Sequence, residues 1–367
     1  MDLHRLAASA LIVGFPGREL GPDLRVLISQ GVSGCILFAR NVGDRDEVCE
    51  LCQALKREAG RPLLLCVDQE GGRVARLRGP GFTDVPPMRS IGGRGEEAIA
   101  FDVGRLLARE VRAAGFDVDL APVLDVDTNP ANPVIGDRSL SHEAQDVARL
   151  GVALAKGIES EGVASCGKHF PGHGDTSQDS HLTLPRLPHS MERLRAVELV
   201  PFAAFAKAKL AAIMTAHVIF EALDPQIPAT FSSKAQTELL RRELGFSGVV
   251  VSDDLEMRAV ADRYGMDEAA VRSIGAGVDL LLVCHTPERQ QKVIDALAKE
   301  AESSAVFRAR LAEAATRAGN LRARFAAPAR SVAEAVAVLD SPEHRSLALR
   351  VRNAGQHSAG PDPTERG

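Results

Sequence analysis

The sequence predicts a single-domain α/β fold, a (β/α)8 TIM-type barrel with a C-terminal helical extension, on three observations. Eight short runs of Val, Ile, Leu, Ala and Cys recur through the first 285 residues. Longer amphipathic stretches separate them, and nearly every run is followed by a charged or polar residue. Strands that are apolar throughout belong in a parallel sheet covered on both faces, and their alternation with helices marks βα units. A doubly wound open sheet is the other arrangement this pattern permits.

The apolar runs are Leu11 to Phe15, Gly34 to Phe38, Leu63 to Val67, Val118 to Val126, Val163 to Cys166, Ala211 to Ala216, Gly248 to Val251 and Leu280 to Val283. Helical intervals fall at Arg45 to Arg57, Glu96 to Ala114, Glu143 to Ser160, Met191 to Ala208, Ser233 to Leu244, Met266 to Ala276 and Pro287 to Glu302. The long loop from Asp68 to Pro87 makes the barrel irregular after its third strand. On this reading the catalytic barrel occupies residues 1–325, a helical extension on the barrel exterior occupies 326–355, and the polar tail 356–367 is disordered.

Composition narrows the function. The chain has 367 residues, 45% of them hydrophobic and 25% charged, as in a soluble globular protein. A net charge of −5 without a basic stripe argues against a nucleic-acid partner. With no Trp and one Tyr, a sugar would be held mainly by hydrogen bonds and charge. Six cysteines sit in apolar or helical contexts, and the lone Cys49-x-x-Cys52 pair reads as helix packing because no second pair completes a zinc site. Reduced thiols imply a cytoplasmic protein. The apolar stretch Leu6 to Phe15 lacks a basic flank and a clear cleavage site, and no run reaches the ~18 apolar residues of a membrane span.

The densest chemistry lies between Ala164 and Pro185, which holds Lys168, His169, His173, Asp175, Asp179 and His181. His169 and His173 are four apart, yet Phe170-Pro171-Gly172 between them rules out a helical metal pair, so no metal or other cofactor is expected. Asp179 and His181 are two apart and point the same way in an extended segment. A carboxylate beside an imidazole raises its pKa and fixes its tautomer, as a general acid requires; the bland alternative is a pair that stiffens a surface loop.

In a barrel of this kind chemistry collects at the C-terminal strand ends. There the sequence places Asp68-Gln69-Glu70-Gly71-Gly72-Arg73, then Asp125, Asp127 and Asn129, then Lys168 and His169, then His217, and then Ser252-Asp253-Asp254. Neighbouring strand residues face opposite ways, so one of Asp253 and Asp254 enters the barrel mouth and the other meets the helix layer or caps the next helix. Spacing leaves open which does which. Arg76 and Arg138 are suited to bidentate hydrogen bonding, although Arg138 beside Asp137 reads, on spacing alone, as a surface ion pair.

The string Lys168-His169-Phe170-Pro171-Gly172-His173-Gly174-Asp175-Thr176, followed by Asp179-Ser180-His181 and Ser252-Asp253-Asp254, resembles the bacterial β-N-acetylhexosaminidases of glycoside hydrolase family 3. Asp68 to Val74 and Ile135 to Ser139 are similar to that family as well. The resemblance implies a retaining enzyme in which Asp253 is the nucleophile and His181, paired with Asp179, the general acid/base. It further implies that Asp68, Arg76, Arg138, Lys168 and His169 bind a terminal N-acetylglucosamine. The implied substrate is a peptidoglycan fragment, N-acetylglucosamine on anhydro-N-acetylmuramic acid, cleaved in the cytoplasm during cell-wall recycling; the chain itself is expected to act as a monomer. Glycines ahead of His181 suggest a segment that closes on bound substrate.

The sequence also admits four other readings. They are substrate-assisted hydrolysis using Asp253 and Asp254, a β-N-acetylglucosaminide phosphorylase, a non-catalytic muropeptide-binding barrel and a metal-dependent hydrolase.

Overall fold

The computed structural model describes residues 2–177, 184–328 and 330–352, together with Asp362 and Thr364. Among these residues eight strands close a barrel: β1 (Leu11–Val13), β2 (Gly34–Leu37), β3 (Leu64–Val67), β4 (Val118–Asp119), β5 (Ala164–Phe170), β6 (Ala212–Thr215), β7 (Val249–Asp254) and β8 (Leu280–Val283). They follow one another around the barrel in chain order, every neighbouring pair parallel. The (β/α)8 expectation holds and the open doubly wound sheet does not.

Period-two alternation explains why the strands read as continuously apolar. Ile12, Ile36, Leu64, Cys66, Cys166, Met214, Val251 and Leu282 pack together inside the barrel. Their neighbours Leu11, Val13, Cys35, Leu37, Leu65, Val67, Ile213, Val250, Leu281 and Val283 join the helix-facing core. Ala318, Leu321 and Phe325, from the helix Ala305–Phe325, belong to the interior cluster and close it from below.

Strand limits differ from the sequence reading where the chemistry of the chain requires it. β4 stops at Asp119, short of the expected Val126, because Pro122 has no N–H to give the ladder. The chain still runs beside β5, accepting the N–H groups of Cys166 and Lys168 at the carbonyls of Ala121 and Pro122 (2.8 and 3.1 Å). β5 is correspondingly longer than expected, so Lys168 and His169 are strand residues rather than loop residues. The Asp68–Pro87 stretch contains a two-stranded antiparallel ribbon, Gln69–Gly71 with Val74–Ala75.

Within the helical extension expected over 326–355 the structure has two helices, Val332–Val336 and Pro342–Arg352. Asp340, at φ 49°, turns the chain between them. Buried Glu110 anchors the turn, accepting the Asp340 N–H and the His344 Nδ1 contact at 3.0 and 2.9 Å. All six cysteines are free and buried. Cys49 and Cys52 lie on the inward side of the helix Arg45–Ala59, and burial pushes the Cys49 thiol up to about 11. No helix among the described residues is long and apolar enough to cross a membrane.

Candidate active site

The alternation that fills the barrel interior also decides what stands at its mouth. Phe38, Asp68, Lys168 and Cys284 each lie two residues beyond an interior apolar side chain, Ile36, Cys66, Cys166 and Leu282, and so continue the inward face upward. They line a cavity of about 260 Å³ whose wall also includes Arg138, His169, His173, Asp253, Asp254 and His285.

One side of the cavity is a buried ionic cluster. Lys168 Nζ lies 2.6 Å from Asp68 Oδ1 and 2.7 Å from Glu70 Oε1. Arg138 donates to both Glu70 oxygens, Nε to Oε2 at 2.9 Å and Nη2 to Oε1 at 2.8 Å. Burial alone would raise the Glu70 carboxyl, yet the Arg138 guanidinium and the Lys168 ammonium hold it well below the usual carboxylate range. Asp68 is likewise held low by Lys168 and Arg76 against its own burial. The reciprocal effect keeps Lys168 charged, since the two carboxylates outweigh its desolvation.

Arg138 therefore does not form the surface pair that spacing favours. Asp137 is taken by Arg73, Nε to Oδ1 at 3.1 Å, and Arg138 turns inward through the short helical turn Gly136–Arg138. Arg76 is also buried, with Nη2 3.2 Å from Asp68 Oδ2. Its guanidinium bonds the side chains of Asp362 and Thr364, and Thr364 reaches the cavity wall. The other positions of the 356–367 tail lie outside the described residues.

His169 is oriented from behind by Asp125. Its Nδ1 is 2.7 Å from Asp125 Oδ2, and the same carboxylate accepts the backbone N–H groups of His169 and His173, the latter at 2.6 Å. Gly174 is needed for this packing, because a Cβ there would lie 1.8 Å from the Val126 carbonyl oxygen. Among the described residues no group of three or more His, Cys, Asp or Glu side chains is arranged to hold a metal ion.

At the seventh strand a bulge decides which way the two aspartates face. Pairing between β7 and β8 slips, with Val251 opposite Leu280 but Asp254 opposite Leu282, so three steps of β7 span two of β8. Such a bulge breaks the alternation, and Asp253 and Asp254 both line the cavity. Asp253 Oδ1 accepts the Asp254 N–H at 2.9 Å. His217 is not at the cavity: it bonds Thr230 Oγ1 at 2.8 Å and the Asp254 carbonyl at 3.0 Å, which ties β6 to β7. Asp179 and His181, with the closing motion expected of their segment, lie outside the described residues.

The sequence assigns no role to Glu70, which anchors the ionic cluster behind the cavity, or to His285, which lines it. Glu70 stands two residues past Asp68, and that spacing could have marked it. His285 follows Cys284 at the end of the eighth strand, where the strand-end rule applied elsewhere would have found it. Its ring stacks on Phe38 with centroids 5.7 Å apart, so the cavity has an aromatic wall that a composition without Trp does not suggest.

Residues 22–321 match the family model described as the glycosyl hydrolase family 3 N terminal domain. The chain belongs to glycosyl hydrolase family 3. It is 40% identical over 330 residues to a β-hexosaminidase of Bordetella parapertussis, an alignment covering 88% of this chain and 90% of that one. A β-hexosaminidase of Thiobacillus denitrificans is 42% identical over 309 residues, 82% of this chain and 85% of that one. Among solved structures, a family 3 β-N-acetylglucosaminidase from Paenibacillus sp. superposes with a TM-score of 0.89 at 39% identity, covering 96% of this chain and 69% of that one. NagZ from Neisseria gonorrhoeae, in complex with N-trifluoroacetyl-D-glucosamine, does so with a TM-score of 0.78 at 34% identity, covering 94% and 97%. The enzyme class expected from the motifs, a glycoside hydrolase of the β-N-acetylhexosaminidase type, therefore holds for this family member.

Proposed function

We propose that the protein is a retaining β-N-acetylglucosaminidase that removes terminal β-linked N-acetylglucosamine from peptidoglycan-derived muropeptides in the cytoplasm, acting as a monomer. The observation that carries this reading is that Asp253 opens onto the same cavity as Asp68, Arg138, Lys168 and His169. A carboxylate able to attack thus faces charged donors and acceptors suited to sugar hydroxyls and an acetamide.

In the first step the Asp253 carboxylate forms a bond to the anomeric carbon as the bond to the leaving oxygen breaks, and His181 gives that oxygen its proton. In the second, the now neutral His181 takes a proton from water, whose oxygen attacks the same carbon and releases Asp253. Retaining glycosidases usually assign both roles to carboxyl groups about 5–5.5 Å apart. An imidazole in place of one carboxyl is neutral after donating and does not repel the nucleophile; Asp179 favours its protonated form beforehand. Asp68, Arg76, Arg138, Lys168 and His169 are assigned to the terminal sugar.

Hydrolysis of an aryl β-N-acetylglucosaminide tests this, with Asp253→Ala and His181→Ala beside the wild type. Acid/base removal should cost about 10²- to 10⁴-fold, and azide should rescue His181→Ala with β-glycosyl azide as product. A 5-fluoro sugar should label Asp253 covalently. Labelling elsewhere, or none with activity intact, would sink the nucleophile assignment, and phosphate-dependent formation of a sugar phosphate would replace hydrolysis with phosphorolysis.

A further inference from the structure

The β7 bulge creates an electrostatic problem at the cavity. It turns two consecutive carboxylates, Asp253 and Asp254, toward one partly buried space. Like charges facing one space disfavour each other's ionised form, so an uncompensated Asp254 would raise the pKa of the Asp253 carboxyl.

The surroundings of Asp254 contain the remedy. Its Oδ1 accepts the Glu256 N–H at 3.0 Å, its backbone carbonyl meets His217 Nε2 at 3.0 Å, and its Oδ2 lies 3.1 Å from His285 Nε2. His285 is held in place independently, stacked on Phe38 and donating its backbone N–H to Glu256 Oε2 at 2.6 Å. The charged groups acting on it are Asp254 and Glu256 from the β7 side and Arg40 from the turn after β2, with Arg289 beyond Glu256. Contact with Asp254 raises the His285 pKa above its ordinary value, opposed by burial and by Arg40.

We propose that His285 is a positioning residue for the reaction: as an imidazolium it neutralises Asp254 and thereby favours the ionised form of the adjacent Asp253 carboxylate. The imidazolium also pins the Asp254 side chain, whose backbone N–H orients Asp253 Oδ1. This inference rests on the reading of Asp253 as the nucleophile.

The test is the pH dependence of kcat/KM on an activated aryl β-N-acetylglucosaminide, whose good leaving group makes the first step insensitive to the acid. The acid limb then reports ionisation of the nucleophile in the free enzyme. In His285→Asn the limb should move up by about one pH unit. Asp254→Asn, which keeps an oxygen for the Glu256 N–H, should move it down or leave it in place, and the double variant should return it to the Asp254→Asn position. An unmoved limb in His285→Asn, or a double variant that keeps the upward shift, overturns the proposal. Should His285→Asn fail to fold, His285→Gln takes its place, with an upward shift supporting the proposal and an unmoved limb overturning it. Covalent labelling separates the two levels: if Asp253 is not the nucleophile, the fluoro sugar does not label it in any variant, whereas failure of the His285 role leaves labelling intact.

Discussion

Arg138 grips Glu70 through two parallel hydrogen bonds of 2.9 and 2.8 Å, and both side chains are almost wholly buried. Lys168 shares the same carboxylate, so one anion balances two cations inside a barrel. Replacing it with the isosteric amide in Glu70→Gln leaves Lys168 paired with Asp68 and Arg138 without a hydrogen-bonded carboxylate. Removing one partner of a buried pair costs about 3 kcal/mol or more, and urea unfolding at neutral pH should show a loss of that order.

The same cluster sets an acid limit. The folded Glu70 and Asp68 carboxyls are held below their ordinary values of 4.5 and 3.8. A lowered folded value means that the stabilisation is complete above the unfolded value and is lost as pH falls through the folded one. Unfolding free energy measured downward from pH 5 should therefore decline steeply in the wild type, and less steeply in Glu70→Gln, which has one such group fewer.

Much of this architecture was legible in the sequence because strand polarity and burial share one period. All eight apolar runs are barrel strands, and the polar residues after the third, fifth and seventh line the cavity. The failures have local causes. Alternation sets Asp253 and Asp254 on opposite faces because it cannot anticipate a bulge, and spacing pairs Arg138 with Asp137 because its true partner Glu70 is 68 positions away. Pro122 shortened β4 by removing a donor, which an unbroken apolar run conceals. The Phe38–His285 stack joins the second and eighth strands, a contact that only barrel closure creates.

Arg76 donates to Asp362 and Thr364 as well as to Asp68, so a sugar hydroxyl that claims this guanidinium competes with the chain's own C-terminal residues. Asp362→Ala combined with Thr364→Ala should lower KM for an aryl β-N-acetylglucosaminide by about threefold, ~0.7 kcal/mol, with kcat unchanged. A higher KM would mean instead that these residues help to hold the substrate.

The six thiols should be inert in the native enzyme. Each is buried, and burial raises Cys35 to about 12 and Cys52, Cys66 and Cys284 well above the ordinary thiol value. The thiolate is the reactive species, so Ellman's reagent should titrate none of them before unfolding and all six in denaturant. Early reaction of Cys49 or Cys52 would contradict the packing role of that pair.

Asp125 fixes what His169 presents to the cavity. Because the carboxylate only accepts, the Nδ1 facing it carries the proton in neutral imidazole, and Nε2 is left as an acceptor for the ligand. Asp125→Asn can still accept the His169 and His173 backbone N–H groups through its carbonyl oxygen, so the fold of the segment should persist. Its amide, however, donates toward Nδ1 and moves the ring proton to Nε2, turning an acceptor into a donor at the same place. A sugar hydroxyl that donates to Nε2 loses its partner, and an unmatched polar pair in a buried site costs about 1–3 kcal/mol. Expected, then, is a rise in KM of about tenfold or more with little change in melting temperature; an unchanged KM would show that His169 makes no hydrogen bond to the substrate through Nε2.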